Sequence, residues 1–491
     1  MAIIHLVILL VTPLILLIVY VKQRYSYWAR QKVPFIEPRF PYGSFYDGRN
    51  KAQADISRTQ YIQMKDKGPF HGLYFLVQPL ITVTDLDLIK TVMIRDFNYF
   101  PDRGVYHNEK HDPLSAHLFA IEGNNWRSMR ARLTPTFTSG KMKMMFPTLA
   151  AAGNVLSAFM VQTVGEGREL EVKEYMSRFT IDVIGSCAFG IECNSFEDPD
   201  SEFRKCGKLF FDTPRHSQMI RLFLRLFPEV CQRLGIKSLR DEVSQFFSEL
   251  VRDTVNYREK NSITRKDFMS LLIELKNSDG KMTIDEVAAQ AFIFFAAGFE
   301  TSSSNQTYCL YELALNEECQ EKARKCVQGA IEKHGGLTYD AACDMQYLDQ
   351  CIKETLRLYP SVPVLERKTF RNYQIPNSNV IIPKGMKVHI PAFAIHRDEQ
   401  YYPNPDLFDP DRFSSEEVAK RHLCAFLPFG EGPRVCIGLR FGMMQSRVGL
   451  ATILNKFKFS VCPKTTIPLE YAVDSVVLQP KDGLWLKVEP L

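Results

Sequence analysis

Between Val287 and Phe299 a single polar residue, Gln290, interrupts an otherwise apolar run, and Thr283, Ile284, Asp285 and Glu286 stand just before it. Thr283 and Glu286 have the spacing of a capping box, in which each side chain satisfies the other's free backbone donor and starts a helix. The pattern predicts a helix reaching about Leu315, about thirty residues and about 50 Å at the helical rise. An element that long crosses a whole domain, and its apolar middle has to be covered by protein on most sides. Helical periodicity with few breakers extends from Lys141 to Tyr359, whereas strand-like runs are confined to 72–77, 80–84, 380–382 and 387–390. The expected fold class is mostly α with minor β, one large helical domain with a small β region.

The amino-terminal residues Ala2 to Val21 carry no formal charge and have the length of a membrane-crossing helix. Lys22, Arg24, Arg30 and Lys32 follow at once, which places the bulk of the chain on the cytoplasmic side. A cleaved signal peptide is the competing reading; the length of the run, the basic cluster after it and the lack of a small-x-small cleavage site favour an uncleaved anchor. Pro34, Pro38 and Pro41 then make a stiff connector. The expected division is a transmembrane anchor at 2–21, a basic and proline-rich connector at 22–43, and one domain over 44–491 without repeats or low-complexity linkers. With 61 basic against 56 acidic residues, the net charge of +5 is too balanced to signal nucleic-acid binding. Twelve cysteines without CxxC pairs or framework spacing suit a reducing compartment, most of them as buried small hydrophobes.

One cysteine stands apart. Cys436 lies in Phe429-Gly430-Glu431-Gly432-Pro433-Arg434-Val435-Cys436-Ile437-Gly438, where glycines permit tight turns and the approach of a flat ligand. A helix starting near Cys436 aims amide donors and positive dipole at the sulfur, which favours a thiolate.

This segment resembles the heme-binding loop of the cytochrome P-450 superfamily in every fixed position. Trp126 to Arg130, Ala297 to Ser302, Glu354 to Arg357 and Pro410-Asp411-Arg412-Phe413 resemble further segments of that family, in its order. The resemblance implies heme b (iron protoporphyrin IX) with Cys436 as the axial iron ligand, and a monooxygenase that puts one atom of dioxygen into its substrate. Domain 44–491 is then the catalytic domain. Glu354 and Arg357, three apart on one helix face, read by themselves as a solvated pair; the resemblance joins them with Arg412 in a buried network under the loop, where removing one member strands the others.

Heme carries two propionates, and planar guanidinium suits carboxylates. Trp126 and Arg130, four apart on one face, and Arg434, two residues before the ligand, are the candidates; Arg367 joins them on resemblance alone, with a solvated charge as its alternative. Glu300 and Thr301 resemble the acid-alcohol pair of the oxygen-activation segment, suited to delivering protons while bulk water stays out, with Gly298 leaving room for a helix irregularity. The residues alone also admit a threonine bonded back to its own helix carbonyl beside a solvated glutamate.

Ile293, Ala297 and Thr301 recur on one helix stripe, which would face the heme; Phe295 and Phe299 fall on another and read as core. The resemblance adds Phe119, Val362, Pro363, Val364, Val476 and Val477 to an apolar pocket that suits lipophilic substrates. The chain has no GxGxxG fingerprint, so an external donor is implied: NADPH-cytochrome P-450 reductase, with cytochrome b5 as a further candidate. Arg127, Arg132, Arg440 and Arg447 form a candidate basic face for it, or an ordinary solvated one. Residues 221–228 read equally as a membrane contact or a core helix. The runs at 27–30, 112–119 and 134–141 resemble the insect microsomal branch, family six, which suggests xenobiotics such as plant toxins or insecticides on the endoplasmic reticulum, with lipid or hormone oxidation open. Cys436 alone would equally serve a heme-thiolate isomerase or dehydratase, or a non-catalytic ligand- or gas-binding heme protein; the Glu300-Thr301 pair argues against the former.

Overall fold

A computed structural model describes every residue except Met1, Arg49, Glu166, 279–281, Asp474 and Val476, and the side chains of 2–4 and 6–10 also lie outside the described set. Its main sheet holds β1 (Phe70–Phe75), β2 (Gln78–Val83), β3 (Leu365–Lys368) and β4 (Lys387–Ile390) in the order β1-β2-β4-β3. β1 and β2 form an antiparallel hairpin, β4 runs parallel to β2, and β3 closes the sheet antiparallel to β4. The segment expected at 380–382 pairs instead with Tyr373–Gln374 in a separate two-stranded ribbon.

The helices that position the site are α1 (Ala2–Tyr25), α2 (Gly123–Leu133), α3 (Ser139–Val164), α4 (Val172–Ile184), α5 (Gln218–Leu226), α6 (Ile284–Leu315), α7 (Gln346–Leu358) and α8 (Leu439–Leu454). α6 begins at the Thr283–Glu286 capping box, with both reciprocal bonds formed, and packs against α4, α7, α8 and the helix Asp241–Lys260. It is continuous through Gly298, so the irregularity expected there is absent. Gly298 packs against α4: a Cβ at that position would stand 2.6 Å from Ile184 Cδ1 and would make that side chain shift.

Among the described residues, α3 is the helix long and apolar enough to cross a membrane, yet it buries Met142, Met145, Phe146, Leu149, Leu156 and Met160 against α4 and α8 as a core element. α1 continues past Val21 to Tyr25 and exposes Val11 and 14–20. The stretch read as a stiff connector is an integral part of the β layer. Trp28 is 1% exposed and its indole N–H donates to Leu73 O at 3.1 Å, while Pro34 and Ile36 exchange backbone bonds with Gly72 at 2.8 and 3.2 Å. Free backbone groups of β1 and the apolar surfaces of Trp28, Val33 and Ile36 are satisfied by the same contact, which prolines at 34, 38 and 41 do not obstruct.

Candidate active site

The loop before α8 is wound so tightly that glycine is required at 432, where φ is +72° and a Cβ would stand 2.1 Å from Met93 O. The Cys436 N–H donates to Phe429 O at 2.9 Å and closes the loop. Gly438 is the N-cap residue of α8, and its N–H bonds to the Cys436 sulfur. That sulfur faces an internal cavity of about 1140 Å³. Burial is the largest influence on the thiol and pushes it up, against the Gly438 N–H and the Arg103 and Arg130 charges. A coordinated cation would add to the groups that favour the thiolate. Cys187, Cys193, Cys309, Cys351 and Cys424 are buried, each pushed up by that burial, and all twelve cysteines are free.

Behind the loop, Arg357 grips Glu354 with two bonds of 2.7 Å, both side chains fully buried, and Arg412 Nε stands 3.5 Å from the same carboxylate. Arg357 also donates to His396 O at 2.8 Å and Pro405 O at 2.7 Å. His396 was not singled out from the sequence, yet its Nε2 accepts the Leu427 N–H at 2.8 Å and so ties this network to the approach of the cysteine loop. No local pattern marks it.

Four guanidinium groups, of Arg103, Arg130, Arg367 and Arg434, line the cavity with Trp126. Arg434 lies 4.0 Å above the Trp126 ring, but its donors are engaged by Pro101 O at 2.7 Å, Ile121 O at 3.0 Å and Asp102 at 3.3 Å. Its free donor capacity is smaller than expected, because the loop around it offers carbonyls. Arg367 is 3% exposed, bonds only to Glu366 O at 2.9 Å, and leaves a buried Nε without a partner; the solvated-charge alternative does not apply. Arg103, missed in the sequence because no motif surrounds it, is pushed down by burial and by its cationic neighbours Arg367, Arg434 and Arg130. It donates to Phe119 O at 3.2 Å and Arg434 O at 3.0 Å. Of these four guanidinium groups Arg434 is ion-paired, with Asp102, and Arg367 carries an orphaned donor, a set that fits a ligand bearing two carboxylates. The thiol opposite and the cavity size complete the fit to heme with room for a substrate.

On α6, Ile293, Ala297 and Thr301 face the cavity, with Gln290, Phe294 and Gly298 beside them. The Thr301 hydroxyl donates to Ala297 O at 2.6 Å, the back-bonded reading, and turns its lone pairs to the cavity. Glu300 does not face the cavity. One residue is about 100° of helix rotation, and Glu300 points away from the cavity into an ion pair with Lys173 at 2.7 Å and bonds from Gln479 at 2.7 Å and Ser304 at 3.3 Å. It is neither a cavity group nor solvated. Phe295 and Phe299 stack on each other in the core.

Phe119, Val362 and Val364 line the cavity, whereas Pro363 does not; Val476 lies outside the described residues, and Val473 and Ser475 line the wall beside it in place of Val477. Phe40, Tyr42, Met219, Leu222 and Arg225 form its mouth. α5 is not a core helix, since it buries only Leu224 and exposes Met219, Ile220 and Phe223. Of the candidate basic face, Arg447 is paired with Asp349 at 2.9 Å and drops out; Arg127 bonds Asn98 at 2.8 Å and Arg440 the Phe137 carbonyl at 3.5 Å, both remaining exposed.

The family model described as Cytochrome P450 matches residues 48–487. Cytochrome P450 6a2 of Drosophila melanogaster is 47% identical over 485 residues, covering 95% of this chain and 96% of that protein. Cytochrome P450 6a8 of the same fly is 44% identical, covering 98% and 97%, and cytochrome P450 6A1 of Musca domestica 42% identical, covering 96% and 95%.

Proposed function

The chain belongs to the cytochrome P450 family and is a heme-dependent monooxygenase of insect family-six kind, and on that premise we propose that it oxidises lipophilic molecules with electrons drawn from NADPH. The observation that carries this reading is the composition of the cavity: Phe119, Ile293, Phe294, Ala297, Val362 and Val364 surround the space over the Cys436 sulfur. Walls of that kind bind by apolar burial, about 25 cal/mol per Å² removed from water, and leave size and shape as the main selection. Plant toxins, insecticides and membrane-borne lipids or hormones all satisfy them.

Cys436 would hold the heme, which when bound would supply the activation of dioxygen, favoured by an anionic sulfur ligand. Arg103, Arg130, Arg367 and Arg434 would face its propionates. Glu354, Arg357 and Arg412 keep the loop that carries the sulfur rigid. Thr301 Oγ1, back-bonded to Ala297, offers lone pairs that accept from a proton-bearing water in the cavity and so position its proton. Phe294, Phe119 and an occupying lipophile keep bulk water away from it.

Electrons arrive from NADPH-cytochrome P-450 reductase, with cytochrome b5 as a second donor, docking on the face that carries exposed Arg127 and Arg440. α1 anchors the chain in the endoplasmic reticulum with the catalytic domain in the cytoplasm, and the apolar face of α5 rests on the same membrane, so that substrates pass from lipid to the mouth. Purified chain, reductase and NADPH incubated with a lipophilic panel under labelled dioxygen should incorporate label into product. Heme-loaded protein that incorporates none across the panel overturns the substrate reading.

A further inference from the structure

The main sheet carries a polar row that neither heme binding nor the lipophilic pocket calls for. His71 on β1 stands opposite Thr82 on β2, Thr82 opposite His389 on β4, and His389 opposite Glu366 on β3. Paired residues in a sheet project from one face, so these four side chains form a ladder across all four strands. His71 and His389 are buried, at 1% and 3% exposure. An apolar residue at any rung would be the ordinary choice on such a face.

The ladder is unsatisfied by protein. Both ring nitrogens of His71 and the Thr82 hydroxyl have no hydrogen-bond partner, and His389 Nε2 stands 3.2 Å from Glu366 Oε1 without hydrogen-bond alignment. Burial pushes both imidazoles down, His71 to about 3, so each is neutral with one donor and one acceptor. These groups surround a second cavity of about 10 Å³, lined also by Gln53, Ser57, Gln60 and Tyr61. That is room for about one water, which makes 2–4 hydrogen bonds.

Its position matters more than its size. Phe45, Gln53 and Val364 line both cavities. At the inner end Glu366 lines the large cavity and is held by Lys387 at 2.8 Å and Arg225 at 3.0 Å. At the outer end the Tyr61 hydroxyl donates to Asp398 at 2.8 Å, and Asp398 accepts from partly exposed Lys65 at 3.0 Å. Polar groups therefore follow one another from solvent at Lys65, through the sheet, to the substrate cavity.

We propose that His71, Thr82 and His389 line a water passage between the substrate cavity at Glu366 and the surface at Lys65. A lipophile entering under α5 fills the mouth, and the water it displaces needs another exit. The ladder offers one that is polar enough to be wetted and, at the width of one water, too narrow for an organic molecule. The inference does not depend on which lipophile is oxidised.

Two measurements test it on the full heme-loaded chain. A crystal structure of the wild-type protein should show an ordered water bonded to at least two of His71, Thr82 and His389; a dry ladder overturns the proposal. The second measurement is the stopped-flow rate at which phenylimidazole, a cavity probe independent of the natural substrate, displaces cavity water. Thr82→Val is isosteric, and His71→Phe removes both ring nitrogens. The double variant, with heme content as the check on folding, should lose the water and bind the probe several-fold more slowly at an unchanged number of sites. An unchanged rate in a double variant that has lost the water would also overturn it.

Discussion

At the scale of single residues, the site depends on which neighbour each polar atom chooses. Thr301 spends its donor on Ala297 O and keeps an acceptor for the cavity, so Thr301→Ala removes the acceptor that positions a proton-bearing water there, without removing packing volume of consequence. NADPH consumption should continue while product per NADPH falls by about tenfold or more, in line with the contribution of positioned proton transfer; measuring peroxide and product together checks it. Glu312 illustrates the opposite balance. Burial pushes its carboxyl from 4.5 up to about 7, against the hydrogen bond donated by the Tyr359 hydroxyl at 2.5 Å. Between those values the folded chain holds a proton that the unfolded chain has released, so stability is greatest below the unfolded value and falls as pH rises through the window, by up to about 3 kcal/mol. Above the folded value it is level. Glu312→Gln should flatten the pH dependence of the unfolding midpoint between pH 4.5 and 7; a slope equal to wild type would refute the assignment.

At the scale of elements, α5 is attached lightly. Its exposed Met219 and Phe223 find no protein cover, and what holds it over the cavity is Arg225, paired with Glu366 at 3.0 Å and stacked 4.0 Å above the Phe75 ring. Glu366 keeps Lys387 when Arg225 leaves, so opening strands no buried charge. Both partners of the pair are partly exposed, and the expected worth is about 1 kcal/mol or less. Arg225→Ala should therefore speed ligand entry and exit alike by a few-fold with little change in affinity, as read by stopped-flow association and dissociation. Elements whose signals are local were legible in the sequence: the capping box starts α6 where Thr283 and Glu286 require, and the stripe 293, 297, 301 faces the cavity. Where Glu300 points was not legible, because its direction is set by Lys173 and Gln479, which are distant in the chain, and helix rotation separates it from Thr301 by about 100°. Arg103 and His396 carry no local signal at all, since what makes them part of the site is the contact of distant segments.

At the scale of the whole molecule, the boundary between the proposed anchor and the folded domain lies earlier than the prolines suggest. The expected division at residue 43 cuts through the β layer, because Trp28, Val33 and Ile36 are each at most 4% exposed and the segment bridges β1 through Phe35 and Gly43. α1, by contrast, exposes Val11 and 14–20 and meets the domain near its end, where Tyr25 O accepts the Tyr74 hydroxyl at 2.7 Å. Two truncations separate these roles. Removing 2–21 takes away the proposed span and leaves every contact of Trp28, so the chain should load heme, unfold at the wild-type temperature and leave the membrane fraction. Removing 2–43 exposes the sheet edge and deletes a buried tryptophan, whose loss alone costs about 3–5 kcal/mol in a packed core. That is a large share of the roughly 5–15 kcal/mol by which folded domains are stable. The second truncation should therefore lower the unfolding temperature by many degrees and reduce heme loading, and equal stability of the two proteins would return the boundary to residue 43.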